Sequence, residues 1–176
     1  MLTYSFRQYC EATAVNERHK LGLQSHEPLL AQQMADAYKA TLLRPTELPN
    51  TIAALARTLE EQTDWSAMIV SQRPLIILYN TNCSPARHQS NLMHEFAHLL
   101  LGHPMATLDV STERINKNAQ HEREAAYLGA CLQLPKRALE WAVQRSLTSE
   151  QVLERYGVSE PMLKYRCQIN KIVLSS

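Results

Sequence analysis

A run of apolar residues between Leu92 and Leu101 carries two histidines, His94 and His98, four positions apart. The pair Ser84-Pro85 before this run is typical of a helix start, and Gly102 is the residue type found just past a helix end. These signals predict one helix from about residue 85 to 101, with apolar residues on nearly every side. The chain must therefore bury this helix, and its fold must surround the helix on most sides while giving the two histidines polar partners.

The segment His94-Glu95-Phe96-Ala97-His98 has the pattern HExxH. Residues four apart lie one turn apart on the same side of a helix, so both imidazoles can bind one Zn²⁺. Glu95 lies about 100° round the helix from His94, where its carboxylate could take a proton from water at the metal and deliver it to a leaving amine. The alternative is a pair of ordinary core histidines, but burying these groups without partners is costly. The pattern therefore predicts a zinc site with Glu95 as general base.

A catalytic zinc usually has three protein ligands and one open position, so a third ligand is needed. The segment 120–135 is the best source, because its small residues could let a helix approach the HExxH helix closely. Those small residues are Ala125, Ala126, Gly129 and Ala130. In the first turns of this segment Glu122 and Glu124 are the candidate ligands, with His121 behind them. Residue type and spacing leave the choice among the three open.

The rest of the pattern is mostly helical, with one pair of short strands. Apolar periodicity and capping residues predict further helices at residues 4–19, 28–43 and 52–62, and through most of the chain after 118. Two β-type runs, 66–70 and 75–79, are separated by a hairpin-length loop. The second run has no polar alternation, which indicates burial on both faces. We therefore expect an α+β fold, mostly helical, with a small sheet beside the HExxH helix.

The length of 176 residues suggests one domain with a core of its own. Within residues 1–176 we distinguish an N-terminal helical segment at 1–50, a sheet and zinc-site core at 51–135, and a helix-turn-helix-like helical tail at 136–176. Lys164, Arg166 and Lys171 on the last helix could contact phosphates, but such cations are equally typical of a solvated face. We expect this tail to pack on the core or dock a partner and do not expect it to bind DNA.

Charge and hydropathy exclude several classes of protein. With 18 Lys and Arg against 17 Asp and Glu, the formal net charge is +1, so a broad cationic surface for nucleic acid is not expected. Apolar runs fall far short of the roughly 20 residues that cross a bilayer. The N-terminal residues do not resemble a secretory signal. We therefore expect a cytoplasmic protein that does not enter the membrane; the sequence indicates no oligomeric state.

From about residue 60 to the end, the sequence resembles the ImmA/IrrE family of HExxH metallopeptidases, a gluzincin-like group. Besides HExxH the family carries a downstream pattern of the form E-x-x-A-N/D-x-F-A-A-x-L-L-M-P, with which residues 122–135 align in register. The matching positions are Glu122, Ala125, Leu128, Gly129, Ala130, Leu132, Leu134 and Pro135. The resemblance implies a zincin-like metallopeptidase domain with a C-terminal helical pair. It also implies that His94, His98 and Glu122 hold zinc and that Glu95 is the general base.

The resemblance further implies a protein substrate, namely a helix-turn-helix transcriptional repressor or an antitoxin, whose cleavage would lift repression. The chain departs from the family at Ala97, where glycine is common, and alanine is compatible with a helix there. It departs again at Ala126, where the family has Asn or Asp, a residue that can hold a ligand histidine from behind. His121 and Glu124 are the candidates that could compensate for that loss. The alternative function is therefore a weak or inactive zinc scaffold that binds a repressor or DNA through its tail.

Two further parts of a peptidase site can be sought in the sequence. An extended substrate could add as a strand to a sheet edge formed by residues 75–79 or 66–70, although an ordinary core strand is an equal alternative. A group is also needed to polarise the scissile carbonyl. The candidates for that role are His103, His121, Tyr127 and Tyr165. His103 could instead complement the dipole at the helix end.

Overall fold

The computed structural model describes residues 2–47, 65–104, 107–109, 114–116 and 118–175. Its helices are α1 (Tyr4–Lys20), α2 (Ala31–Tyr38), α3 (Pro85–Leu100), α4 (Ala119–Gln133), α5 (Lys136–Gln144), α6 (Ser149–Tyr156) and α7 (Glu160–Asn170). Its strands are β1 (Thr41–Leu43), β2 (Ala67–Gln72), β3 (Leu75–Tyr79), β4 (Thr107–Asp109) and β5 (Arg114–Asn116), and a short 3-10 turn follows β1 at Pro45–Glu47. The mostly helical α+β fold expected from the sequence is confirmed.

The main sheet has three strands in the order β1-β3-β2. β3 pairs in parallel with β1 and antiparallel with β2, so the predicted hairpin is confirmed. β3 therefore has a paired strand on both of its edges, and Leu75, Ile77 and Leu78 are buried, while Ile76 and Tyr79 are partly buried. The central position of β3 means that residues 75–79 cannot be a sheet edge, so that option for strand addition is wrong. Within the described residues β2 has a strand on one side only.

The predicted helix at 28–43 is wrong in its last part. α2 ends at Tyr38, Lys39 adopts a left-handed conformation with φ of 52°, and the following residues form β1. Thr41, Leu42 and Leu43 pair with Ile76, Ile77 and Leu78 of β3. The residues Thr41–Leu43 fit a helical pattern locally, but they form a strand because they pair with β3, which lies far along the chain. The N-terminal segment therefore supplies a strand to the sheet, and the predicted helix at 52–62 lies outside the described residues.

α3 has the boundaries that its sequence predicts. The Ser84 hydroxyl accepts a hydrogen bond from the Arg87 backbone N–H, Pro85 is the first helical residue, and Gly102 turns the chain with φ of +66°. The helix packs against α4 on one side and against β2 and β3 on another. Its fully covered residues are Leu92, Met93, Phe96 and Ala97. The HExxH helix is therefore the central element of the core, with the small sheet beside it.

Two buried arginines fix the ends of the molecule to this core. Arg18 of α1 is fully buried and donates to the backbone carbonyl of Leu132, at the end of α4, over 2.8 Å. Arg166 of α7 is fully buried too, and it donates to the Leu134 carbonyl over 2.8 Å and to the Glu11 carboxylate of α1. Each arginine satisfies carbonyls that the end of a helix leaves without a partner.

The C-terminal helical pair is confirmed. Thr148 and Gln151 form a capping box at the start of α6, and Gly157, with φ of 60°, ends that helix. Arg166 is buried and its guanidinium bonds inside the protein, so it is not available for the phosphate contact considered as an alternative, in agreement with the expected packing of the tail. Lys164 is exposed and pairs with Glu160 over 2.9 Å. None of the helices in the described part of the chain has the length and apolar character that crossing a bilayer requires.

Candidate metal centre

Two histidines and a glutamate converge where α3 meets α4. The Nε2 atoms of His94 and His98 lie 3.0 Å apart. The Glu122 carboxylate faces both, with Oε2 3.3 Å from His94 Nε2 and Oε1 3.3 Å from His98 Nε2. One donor atom from each residue lies within 4.8 Å of the others, an arrangement that could hold a metal ion. We call these three residues the metal cluster.

Close packing of α3 on α4 makes the cluster possible. A Cβ atom added at Gly129 would lie 3.2 Å from the Cα and backbone N of His94 and 3.2 Å from the Met93 carbonyl oxygen. Only a glycine lets the two backbones approach to this distance without displacement. Ala125 and Ala130 are buried on the same helix, as the small-residue surface predicts, whereas Ala126 is exposed. The Asn118 side chain caps the start of α4, and Glu122 follows in its first turn.

The donor set and its accessibility fit a metal. Two imidazole nitrogens and a carboxylate oxygen are preferred ligands of zinc. The exposed fractions of the three side chains, 23% for His94, 14% for His98 and 31% for Glu122, show that the cluster opens to solvent on one side. Two ring nitrogens facing one carboxylate at these distances are a grouping that a divalent cation would satisfy. Room remains on the open side for water or another ligand.

Glu95 is held at the side of α3 that faces the sheet. Only 7% of its surface is exposed, and its Oε2 accepts a hydrogen bond from the Ile69 backbone N–H of β2 over 3.1 Å. A β-bulge between Ile69 and Ser71 interrupts the pairing of β2 at this point. Glu95 is next to His94 in the chain but is not a member of the metal cluster. Its carboxylate therefore joins the HExxH helix to strand β2.

The other two candidate ligands lie one layer further out. Glu124 Oε2 is 3.1 Å from His103 Nε2, and Gln120 Nε2 donates to Glu124 Oε1 over 2.8 Å. These hydrogen bonds, from Gln120 and His103, hold the pKa of the Glu124 carboxyl below its usual value. The His121 ring stacks on the His103 ring with 4.2 Å between centroids. The structure thus brings Glu122 to the histidines and directs Glu124 and His121 to His103.

The contact between His98 and His103 has no counterpart in the predictions from sequence. His98 Nδ1 lies 3.0 Å from His103 Nδ1, and His103 is 8% exposed. From the sequence, His103 is a candidate to polarise the scissile carbonyl or to complement the dipole at the helix end, and in neither role is it a partner of His98. A glycine past the helix end predicts the left-handed turn at Gly102, but not that the turn places the His103 ring beside His98. This is the part of the site that the sequence does not show.

Two candidates for polarising the substrate carbonyl lie at a surface groove of about 550 Å³ between α4 and α7. Tyr127 and Tyr165 both line it, together with Ala126 and Met162. Burial raises the pKa of Tyr127 to about 12. The Arg166 guanidinium lies over the Tyr127 ring, 5.7 Å from its centroid. These contacts connect Tyr127 with the helical tail.

Comparison with known proteins agrees with this architecture. The family model for the IrrE N-terminal-like domain, peptidase M78, matches residues 52–168. No curated protein gives a significant match. Among solved structures a Mycobacterium tuberculosis transcriptional regulator has the same fold, with a TM-score of 0.58 and 13% identity, over 90% of this chain and 46% of that one. The chain thus spans about half the length of that regulator. Because the family model covers well over half of its length, the chain belongs to the family of IrrE N-terminal-like domains, the M78 peptidases.

Proposed function

We propose that this chain is a zinc-dependent endopeptidase that cuts a partner protein. The observation that carries the proposal is the convergence of His94 Nε2, His98 Nε2 and a Glu122 oxygen within 4.8 Å at a solvent-open position. Two histidines and a glutamate are the ligand set of one class of catalytic zinc site. Membership of the M78 peptidases supports the same chemistry. His94, His98 and Glu122 would hold the ion.

Glu95 would act as the general base and acid. Zinc, when bound, would polarise water and the scissile carbonyl as a Lewis acid. The Glu95 carboxylate would accept the proton of the attacking water and return it to the leaving amine, a role that needs a fixed carboxylate near the reacting atoms. The hydrogen bond from Ile69 to Oε2 supplies that fixation. A buried carboxylate restrained in this way loses little entropy when it enters the reaction.

Strand β2 would align the substrate. Its pairing with β3 uses one side, and no described strand covers the other. The bond from Ile69 N–H to Glu95 shows that β2 runs directly beside the proposed base. A peptide added to β2 as an extra strand would be recognised through its backbone and would pass this carboxylate. This supports an extended segment of a protein as the substrate.

The family resemblance supports a helix-turn-helix repressor or an antitoxin as the partner, cut so that repression ends. Such a substrate would place the reaction in the cytoplasm. The fold shared with a transcriptional regulator agrees with a role in gene control. DNA binding by the chain itself is not part of the proposal, since Arg166, one of the three cations that could have contacted phosphates, is buried.

The test separates metal binding from catalysis. Glu95→Gln should bind one zinc per chain, as the wild type does, and lose cleavage by about 10²–10⁴-fold, because only the base is removed. Glu122→Ala should lose zinc, as measured by elemental analysis after dialysis. Glu154→Gln, at an exposed position of α6, is the matched control and should keep both properties. Normal zinc content in Glu122→Ala would show that Glu122 is not the third ligand and that another residue takes this role.

The substrate is identified with the inactive variant as a trap. Immobilised Glu95→Gln should retain the partner, and zinc-loaded wild type added to that partner should produce one discrete pair of fragments in mass spectrometry. A chelator should stop the cut, and zinc should restore it. Full proteolysis by Glu95→Gln would contradict the assigned base.

The second candidate function is a zinc scaffold that regulates without cleavage. Ala126 favours it, because a polar residue that supports a ligand histidine in the family is missing here. In that case the partner captured by the trap would remain intact with the zinc-loaded wild type. Retention of the chain on DNA that weakens with salt would then support regulation through the tail.

A further inference from the structure

A second layer of side chains stands behind the metal cluster. His98 Nδ1 lies 3.0 Å from His103 Nδ1, and His103 Nε2 lies 3.1 Å from Glu124 Oε2. His98 turns its other nitrogen, Nε2, to the cluster, 3.3 Å from Glu122 Oε1. One continuous hydrogen-bonded chain therefore runs from the metal cluster through two imidazoles to a carboxylate that lies outside the cluster.

The end of α3 holds His103 in this position. Gly102 takes the left-handed conformation, with φ of +66°, and the next backbone N–H, that of His103, donates to the His98 carbonyl over 3.0 Å. The chain thereby folds back on the last turn of the helix and places the His103 ring beside His98. The His121 ring stacks on the His103 ring with 4.2 Å between centroids, and His103 is only 8% exposed. The ring has little freedom to rotate away.

The first turns of α4 hold Glu124. Gln120 Nε2 donates to Glu124 Oε1 over 2.8 Å, and Oε2 faces His103. The Glu124 side chain is 17% exposed. The two oxygens of Glu124 therefore have separate partners. Gln120, on the same helix, orients the carboxylate so that Oε2 faces His103.

The donors and acceptors along this chain are complementary. An imidazole that offers Nε2 to a metal carries its proton on Nδ1. His98 would then donate from Nδ1 to His103 Nδ1, which must be the unprotonated nitrogen of that ring. The His103 proton therefore lies on Nε2 and is donated to Glu124. A neutral His103 and an ionised Glu124 satisfy every contact in the series.

We propose that His103 and Glu124 are positioning residues that hold the His98 imidazole in the tautomer and orientation that the metal requires. The inference rests on the proposed function, because it presupposes that the cluster binds zinc. It also bears on Ala126, which replaces the polar residue that can hold a ligand histidine in the family. In this chain His103 and Glu124 would support His98 instead.

The primary measurement is affinity for zinc, obtained by competition with a chromogenic chelator at fixed pH. His103→Ala and Glu124→Gln should each weaken zinc binding by about 10–100-fold, the effect usual for such supporting contacts. His19→Ala, which removes an exposed histidine of α1, is the matched control and should bind as the wild type does. The double variant should bind no more weakly than the weaker single variant, because the contacts lie in series.

Two further readouts distinguish positioning from general structural support. The metal-free variants should unfold within a few degrees of the wild type, and cobalt-substituted protein should show an altered visible spectrum in both. Glu124→Gln preserves shape and keeps the test valid if His103→Ala does not fold. In zinc-loaded wild type, ¹⁵N shifts of the histidine rings should place the His103 proton on Nε2.

The outcomes separate this inference from the proposed function. Wild type that binds no zinc would overturn both. Wild type that binds zinc while both variants bind it equally well would overturn the positioning role alone. A His103 proton on Nδ1, or multiplicative losses in the double variant, would also contradict the series of contacts.

Discussion

At the scale of single residues, the carboxylate of Glu11 stabilises a buried charge. Arg166 is fully buried, whereas the side chain of Glu11 is 21% exposed. In Glu11→Ala the guanidinium would remain in the interior without its counter-charge, so we expect a loss of about 3–5 kcal/mol in the free energy of unfolding. Glu160→Ala, which removes the partner of exposed Lys164 on the same helix, should cost no more than about 1 kcal/mol. Urea unfolding followed by circular dichroism measures both, and equal losses would contradict the distinction.

At the scale of the secondary-structure elements, the spacing of α3 and α4 controls the metal cluster. In Gly129→Val the new Cβ would meet backbone atoms of His94 and Met93 at about 3.2 Å, and backbone atoms cannot rotate aside. We expect a loss of about 1–3 kcal/mol in stability. Zinc affinity should fall as well, because His94 moves relative to Glu122. Ala126→Val, exposed on the same helix, should cost less than about 1 kcal/mol and leave zinc affinity intact. Normal zinc affinity in Gly129→Val would show that the spacing is not critical.

The same elements show what a sequence can and cannot predict. The boundaries of α3 could be predicted because Ser84-Pro85 and Gly102 act on the backbone next to them. Strand β1 could not, because Thr41–Leu43 becomes a strand only by pairing with β3, far along the chain. Residue type and spacing left three candidates for the proposed third ligand, and only the family resemblance selected Glu122. The position of its carboxylate beside both histidines depends on how α3 crosses α4, which no local pattern specifies. The place of His103 behind His98 depends on the direction of one turn.

At the scale of the whole molecule, polar groups join two apolar clusters. The first cluster includes buried residues of α1, α2, the sheet, α3 and α4, and the second includes those of α5, α6 and α7. Arg166 of α7 donates to the Glu11 carboxylate of α1, and the Tyr156 hydroxyl of α6 donates over 2.7 Å to the carbonyl of His26, which lies between α1 and α2. Each bond would break if one cluster unfolded alone. We therefore expect the two clusters to unfold together.

Zinc binding tests whether the two clusters unfold together, because the proposed ligands lie on α3 and α4, which contribute to the first cluster only. Trp141 of α5 packs against the second cluster, and its ring stacks on that of His26 with 4.7 Å between centroids. The chain has two tryptophans, so in a Trp65→Phe variant the fluorescence reports on Trp141 alone. At zinc about 1,000 times above its Kd, the folded state gains about 4.1 kcal/mol, which for a chain of this size raises the Tm by roughly 8–16 °C. Trp141 fluorescence and far-ultraviolet circular dichroism should shift together, and Glu122→Ala should abolish both shifts. A fluorescence transition that zinc leaves unchanged would show instead that α5 to α7 unfold as a separate unit, which would place a domain boundary near Pro135.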